Sequence, residues 1–318
     1  MIRIRRSKAL ASLGALAAAA AGPAVVRAQV PIPIRVGCGV ADPSSEAFYA
    51  LKLGLFAKRG LDVTVEQFTS GSAQTAAVAG GALDVAETNV LSLALAHLRG
   101  LAFTYIAPAA QYSSAAPTTV LVCAKDAPFR TGKDLNGKTI GVQALHDNGQ
   151  LGPMAWIEQT GGDPSTIKWV ELPVAEVAAA LARGSIDASP ANEPFVRAAL
   201  MGGKVRVLAN AFDAIAPQFM QNSWFTTTDW LKKNPVGAAR FASAILEVAR
   251  WANRNHKASA DIFQEHSKVA PDIIATMNRS VFAERFDATL FQPVIDAAAK
   301  YKMIDHAFPA AEIMAKLG

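Results

Sequence analysis

Residues 132–139 read Gly132-Lys-Asp-Leu-Asn-Gly137-Lys138-Thr139, which matches the phosphate-loop pattern letter for letter. That chemistry needs a strand leading in and a helix opening at the Lys-Thr, so that unpaired backbone N–H groups ring the phosphates. Here Pro128, Thr131 and Gly132 come first, and Thr139-Ile-Gly-Val-Gln143 continues as a strand. The polarity is reversed, which argues against nucleotide binding. Ser165-Thr-Ile-Lys168 could pair a serine nucleophile with a lysine, but the companion Ser-Asp-Asn and Lys-Thr-Gly elements are absent. Gly-x-Ser-x-Gly, His-Glu-x-x-His and Cys-x-x-Cys do not occur, and the 5 histidines share no metal-ligand spacing. His97, His256 and His266 fall on predicted helices and are expected to face solvent. His146 follows a predicted strand, where a ligand contact and a plain turn residue both remain open.

What recurs is a polar cluster between a strand and a helix start. Ser44, Ser45 and Glu46 form one; Ser70, Gly71 and Ser72 another; Thr88 and Asn89 a third; His146, Asp147 and Asn148 a fourth. Helix N-termini carry unpaired N–H groups and the positive end of the helix dipole. Several converging on one cleft can hold a small anion or polar molecule without a buried Lys or Arg. Each of these residues could equally well cap its own helix. As a set they favour a cleft.

The elements that would position them alternate. Short apolar runs at 34–40, 61–68, 83–86 and 103–108 read as buried strands. Helical patterns cover 47–58, 73–79 and 90–98, the first ended by Gly60. The series predicts a parallel sheet with right-handed crossovers. It restarts with strands at 139–142, 167–172, 186–188 and 205–208, and helices at 151–159 and 174–182. From Asn234 the chain reads as mostly helical, over 238–253, 258–266, 271–278, 288–301 and 310–317. An internal echo supports two similar halves: Gly81-Ala-Leu-Asp-Val-Ala86 resembles Gly184-Ser-Ile-Asp-Ala-Ser189. Each follows an alanine-rich helix and precedes a polar cluster, Glu87-Thr-Asn89 or Asn192-Glu-Pro194. Open α/β sheets place ligand loops at the carboxyl ends of their strands.

Length and charge narrow the class. The chain has 318 residues, 51% of them hydrophobic, which suits a folded protein of about two domains. The formal charge is +5, but Arg3, Arg5, Arg6, Lys8 and Arg27 lie in the first 28 residues, which hold no acid. From Gln29 onward 26 cations face 26 acids. The remainder is neutral and lacks the standing cationic surface that nucleic acid requires. Residues 1–28 have the layout of a cleaved export signal: a basic start, an alanine-rich apolar run and small residues before a cut at Ala28-Gln29. Arg5-Arg6 leaves the general and twin-arginine routes both open. The expected location is the periplasm. Cys38 and Cys123 sit in apolar strand-like runs and read as buried thiols, with a bridge as the alternative.

The segment from Ala50 to Val65, Ala-Leu-Lys-Leu-Gly-Leu-Phe-Ala-Lys-Arg-Gly-Leu-Asp-Val-Thr-Val, resembles the Gly-x-Phe-x-x-x-Gly-Leu-x-Val stretch of periplasmic substrate-binding proteins for sulfonates, nitrate, taurine and thiamine-pyrimidine precursors. Ser70-Gly-Ser72, Gly81-Ala-Leu-Asp-Val85, Asp134-Leu-Asn-Gly-Lys-Thr-Ile-Gly-Val142, Gly184-Ser-Ile-Asp-Ala188 and Asn234-Pro235 match in family order. The resemblance implies an α/β type II binding-protein fold, with two lobes, each a mostly parallel sheet flanked by helices, joined by a two-strand hinge. Residues 119–125 and 223–228 would be the crossing strands. Lobe I would span 29–118 and 222–318, lobe II 119–221, and the C-terminal helices would return to lobe I.

Carried onto this chain, the family's ligand loops implicate Asp42, Ser44, Ser45, Glu46, Ser70, Gly71, Ser72, Thr88, Asn89, Gln111, Tyr112, Gln143, His146, Asp147, Asn192, Glu193 and Trp224. The resemblance implies no catalytic residue, no metal and no cofactor. The implied partners are a small-molecule ligand and an ABC permease with its cytoplasmic ATPase, served by a monomer. No Arg lies in the strand-end loops, the nearest being Arg197, and Glu46 and Glu193 would repel an anion. Tyr112, Phe195 and Trp224 could stack on a ring. These features lean towards a small polar or heteroaromatic ligand and leave sulfonate open. The competing readings are a sensory protein coupled to a membrane kinase and a pyrimidine-precursor synthase-like enzyme on the same fold.

Overall fold

The computed structural model describes residues 30–68 and 71–317; the export segment and Ser70 lie outside them. In chain order the first part runs β1 (Ile32–Cys38), α1 (Glu46–Lys52), β2 (Leu61–Gln67), α2 (Gly71–Ala79), β3 (Val85–Asn89), α3 (Val90–Leu98), β4 (Phe103–Pro108) and β5 (Ala110–Ser113). The middle part runs β6 (Thr119–Ala124), β7 (Thr139–Val142), α4 (Asn148–Gln159), β8 (Lys168–Glu171), α5 (Val177–Arg183), β9 (Ala188–Asn192), α6 (Phe195–Met201) and β10 (Val205–Ala209). Then come β11 (Gln218–Met220), β12 (Asn222–Thr227), α7 (Thr228–Lys233), α8 (Pro235–Arg254), α9 (His256–Ser267), α10 (Pro271–Thr276), β13 (Val281–Phe282) and α11 (Gln292–Lys300).

Two five-stranded mixed sheets carry the architecture, ordered β2-β1-β3-β12-β4 and β10-β6-β9-β7-β8. In the first, β1 pairs parallel with β2 and β3, while β12 is antiparallel to β3 and β4. In the second, β7 pairs parallel with β8 and β9, while β6 is antiparallel to β9 and β10. Each sheet thus holds one reversed strand, β12 or β6, and these are the expected crossing strands. A third sheet, β11-β5-β13, is antiparallel and was not anticipated. It turns residues 111–113, expected as a ligand loop, into a strand.

The echoed sequences do the same physical work in both sheets. Gly81 and Gly184 adopt φ of 72° and 70°, the left-handed region that glycine enters without a Cβ clash. The aspartate that follows then clamps the backbone of the neighbouring strand. Arg35 N donates to Asp84 Oδ2 at 2.8 Å, and Asp84 N donates back to Arg35 O at 2.9 Å. In the second sheet Thr139 N donates to Asp187 Oδ2 at 2.9 Å, and Asp187 N to Thr139 O at 2.7 Å. The clamp sets the register of β3 beside β1 and of β9 beside β7. Both strands start later than the hydropathy suggests and run through the polar clusters, because Glu87, Thr88 and Asn89 pair with Trp224, Ser223 and Asn222 across the ladder.

Helix α8 shows how the C-terminal segment packs on the first sheet. Pro235 sits in its first turn, where the missing N–H costs nothing. Phe241, Ala242, Ile245, Val248, Ala249 and Ala252 recur at helical spacing, and all are buried in one core with Ile34, Val36 and Val63. Cys38 and Cys123 are both buried and unbridged. Among the described residues no helix is long and apolar enough to cross a membrane. His256 is exposed as expected, but His266 is half-buried, stacked on Phe48 with ring centroids 4.1 Å apart, and His97 is half-buried against Phe308.

The phosphate-loop look-alike folds as its polarity suggests. Residues Gly132–Leu135 form a short 3-10 turn closed by a Thr131/Asp134 capping box, and β7 follows it.

Candidate functional site

A cavity of about 630 Å³ lies where the carboxyl ends of strands from both five-stranded sheets meet. From the first sheet it takes the turn after β1 (Gly39, Ala41, Pro43, Ser44), the start of α2 (Gly71, Ser72) and the end of β3 (Glu87, Thr88, Asn89). From the second it takes the β7–α4 turn (Gln143, His146, Asp147, Asn148) and the end of β9 (Pro190, Asn192). Thr119 and Asn222, the first residues of the two reversed strands, also line it, as does Gln221. Phe68, Phe195 and Phe212 supply aromatic surface. A volume in this range suits a small organic molecule.

Of the residues singled out in sequence, the structure puts Ser44, Gly71, Ser72, Thr88, Asn89, Gln143, His146, Asp147 and Asn192 on this wall. The others are engaged elsewhere. Asp42 is fully buried, accepts from Ser280 N at 2.7 Å and pairs with Arg279 Nη2 at 2.9 Å. Ser45 is fully buried behind the same turn. Glu46 is also fully buried and accepts from Trp224 Nε1 at 3.0 Å, so both belong to the core. Tyr112 donates to Asp213 at 2.6 Å and stacks on Phe219, while Gln111 sits in the third sheet. Glu193 accepts from the backbone N–H groups of Arg197 and Asn278, at 3.1 and 3.3 Å. Asp42, Glu46, Tyr112, Glu193 and Trp224 are polar or aromatic residues in the expected stretches whose side chains found partners far along the chain.

The wall also holds Asn148, from the fourth polar cluster, and residues outside the carried-over set: Glu87, Gln221, Asn222 and Thr119. The available signal was the Glu87-Thr-Asn89 cluster itself, since β3 delivers all three. A local network fixes several of them. Asn222 Nδ2 donates to Glu87 Oε1 at 2.5 Å. Asn148 Nδ2 donates to the Gln221 carbonyl, and Gln221 Nε2 to Thr119 Oγ1, each at 3.0 Å. A carbonyl can only accept, so the Asn148 amide has its nitrogen there and its oxygen on the other side.

Two of the helix starts are closed by their own chain. Asn89 Oδ1 accepts from Ser92 N at 2.9 Å, and Asp147 Oδ1 accepts from Gln150 N at 3.0 Å. Both residues therefore act as N-caps while lining the cavity. His146, just before the second cap, takes a φ of 58°. Arg99 is the one Lys or Arg among the described wall residues. It caps the far end of α3, about 15 Å along that helix from Asn89 at 1.5 Å per residue. Among the described residues no group of three or more His, Cys, Asp or Glu side chains is placed to hold a metal ion.

Buried side-chain polar atoms normally find partners. Among the described residues eight such atoms have none; Glu87 Oε2, Thr88 Oγ1, Asn148 Oδ1, Asn192 Oδ1 and Gln221 Oε1 belong to wall residues, and Glu46 Oε1, Arg197 Nε and Ser280 Oγ do not. Burial pushes the Glu87 carboxyl up to about 7, against hydrogen bonds from Ser44 and Asn222 that hold it down. Burial likewise raises Asp147 and Glu193 to about 7. An acid held above its ordinary value binds more protons folded than unfolded in the interval between the two. Stability is therefore full below about 4.5 and is lost as pH rises through about 7. The ligand-free protein should melt several degrees higher at pH 5 than at pH 8. Glu87→Gln should remove its share of that slope, while Asp147 and Glu193 keep theirs; Glu46, Cys38 and Tyr105, whose own titrations feel Glu87, lie in the buried region behind it. A melting temperature that rises from pH 5 to pH 8 would contradict this account.

Comparison with known proteins bears on the same region. A family model described as NMT1/THI5 like matches residues 44–258. Comparison with curated protein sequences gave no match. Among solved structures, the periplasmic aliphatic sulphonate binding protein SsuA of Escherichia coli superposes with a TM-score of 0.74 at 19% identity, covering 89% of this chain and 97% of that one. The alkanesulfonate-binding protein SsuA of Xanthomonas axonopodis pv. citri, bound to MOPS, gives 0.75 at 17% identity, covering 90% and 98%. The periplasmic nitrate-binding protein NrtA of Synechocystis PCC 6803 gives 0.74 at 13% identity, covering 89% and 85%.

Proposed function

Because this chain belongs to the NMT1/THI5-like family and has the periplasmic binding protein fold, we propose that it is the extracytoplasmic solute-binding component of an ABC-type importer. It captures a small polar or heteroaromatic molecule in the cavity between the two five-stranded sheets and delivers it to a membrane permease. The lobes that close on the ligand are residues 29–118 with 222–318, and residues 119–221, hinged on β6 and β12.

The observation that carries this reading is the cavity itself. It sits at the strand ends of both sheets, is lined by residues of both reversed strands, and gathers five buried polar atoms that lack partners. Such atoms are costly to bury unpaired, and a bound solute removes that cost. Closure then follows from differential affinity, since the closed form contacts the solute from both halves. The SsuA and NrtA structures support the same reading by their fold, and an export signal at residues 1–28 would place the protein where such importers collect their solutes.

A thermal-shift panel of amines, amidines, pyrimidines, aromatic acids, sulfonates and nitrate tests it. A true ligand at about 100 times its Kd should add about 2.7 kcal/mol, or roughly 5–10 °C for a protein of this size. Absence of any saturable shift across the panel would count against the solute-binding reading.

A further inference from the structure

We infer that the cavity takes a hydrogen-bond-donating solute, an amine or amidine cation held against aromatic rings, rather than an oxyanion. This deepens the proposed function and rests on it. An oxyanion needs donors, and the strong ones are Arg, Lys and open helix N-termini. Arg99 sits a helix length from the polar cluster, and of the helix starts on the wall those of α3 and α4 are already capped by Asn89 and Asp147, which leaves the start of α2 at Gly71 and Ser72 as the place where an anion would compete. The Asp147 carboxylate occupies the place that an anion would take at α4.

What the wall offers is acceptors. The amide nitrogens of Asn148, Gln221 and Asn222 each give one N–H, to the Gln221 carbonyl, Thr119 and Glu87, which fixes their amide oxygens on the other side. The oxygens of Asn148 and Gln221 are left without partners, as are Asn192 Oδ1 and one oxygen of the Glu87 carboxyl. Glu87 is only 2% exposed, Asn148 4% and Gln221 8%, so water does not compensate them freely. A solute with several N–H donors that reaches these oxygens as the wall closes on it satisfies them. A sulfonate or nitrate satisfies none of these four oxygens and faces a carboxyl, with the Thr88 hydroxyl as the one unpartnered group of the set that could donate to it. Phe68, Phe195 and Phe212 suit a delocalised cation or an aromatic ring bearing one.

The test uses matched probes on the signal-free chain from Gln29, by titration calorimetry at pH 8. Benzamidine and phenylethylamine are compared with phenylmethanesulfonate and benzoate. At least one cation should bind ten-fold or more tightly than both anions. Glu87→Gln, an isosteric change checked by its melting curve, should cost that cation ten-fold or more and change the anions less than three-fold. The inference is overturned if either anion binds more tightly, if Glu87→Gln leaves the cation unchanged, or if none of the four binds. Anion binding would leave the solute-binding reading intact. Silence from all four probes, together with silence across the wider thermal-shift panel, would remove both.

Discussion

Arg279→Met is expected to destabilise the protein by about 3–5 kcal/mol, the usual loss when one partner of a buried ion pair is removed. Asp42 is fully buried, and Arg279 meets it through Nε at 3.0 Å and Nη2 at 2.9 Å. Arg279 Nη2 also donates to Tyr49 Oη at 2.8 Å, and the guanidinium lies over the Phe263 ring. Removing it leaves a carboxylate in the interior with the Ser280 N–H as its remaining donor. The damage reaches the cavity as well, because Asp42 opens the short turn that carries Pro43 and Ser44 to the wall. Ligand affinity should fall together with stability. Urea denaturation measures the first effect, and calorimetry the second. The double variant Asp42→Asn with Arg279→Met should recover part of the loss, since the orphaned charge is gone. A single variant within 1 kcal/mol of the parent would show that the pair does not hold this turn.

Gly132→Ala is expected to cost about 3 kcal/mol, at the upper end of overpacking penalties, because the obstacle is backbone. A Cβ at residue 132 would lie 2.3 Å from the carbonyl oxygen of Ile157 and 2.4 Å from its Cα. Neither can move without unwinding α4. Gly137 has a different reason to be glycine: its φ is 72°, with open space around a would-be Cβ. Gly137→Ala should therefore cost only about 1 kcal/mol. The two glycines of the phosphate-loop pattern are thus explained by close packing and by a left-handed turn. Added ATP should change the melting temperature of neither variant nor of the parent. Equal stability of Gly132→Ala and the parent would refute the packing account.

Much of the scaffold was legible because its signals are local. The helix at Val90–Leu98 and the strands at Phe103–Pro108 and Thr139–Val142 fall where side-chain periodicity and flanking turn residues place them. The glycine-aspartate echo was legible for the same reason, and the clamp it makes in both sheets gives it a cause. The third sheet was not legible. Its strands Ala110–Ser113, Gln218–Met220 and Val281–Phe282 are short, and each becomes a strand only by meeting the others.

For the site, the chain's own order of residues determined that polar side chains would crowd the strand ends, that two halves would present them, and that no phosphate loop would form. Tertiary structure alone decided which of those side chains reach the cavity. Asp42 is claimed by Arg279, 237 residues away, Glu46 by Trp224 at a separation of 178, and Glu193 by Asn278 at 85. Glu87 keeps an unpaired oxygen because Asn222, from a strand 135 residues later, takes the other. A carboxylate at a strand end has the same local signature whether it is neutralised in the core or left waiting at a wall. The difference lies in a partner that folding brings from elsewhere.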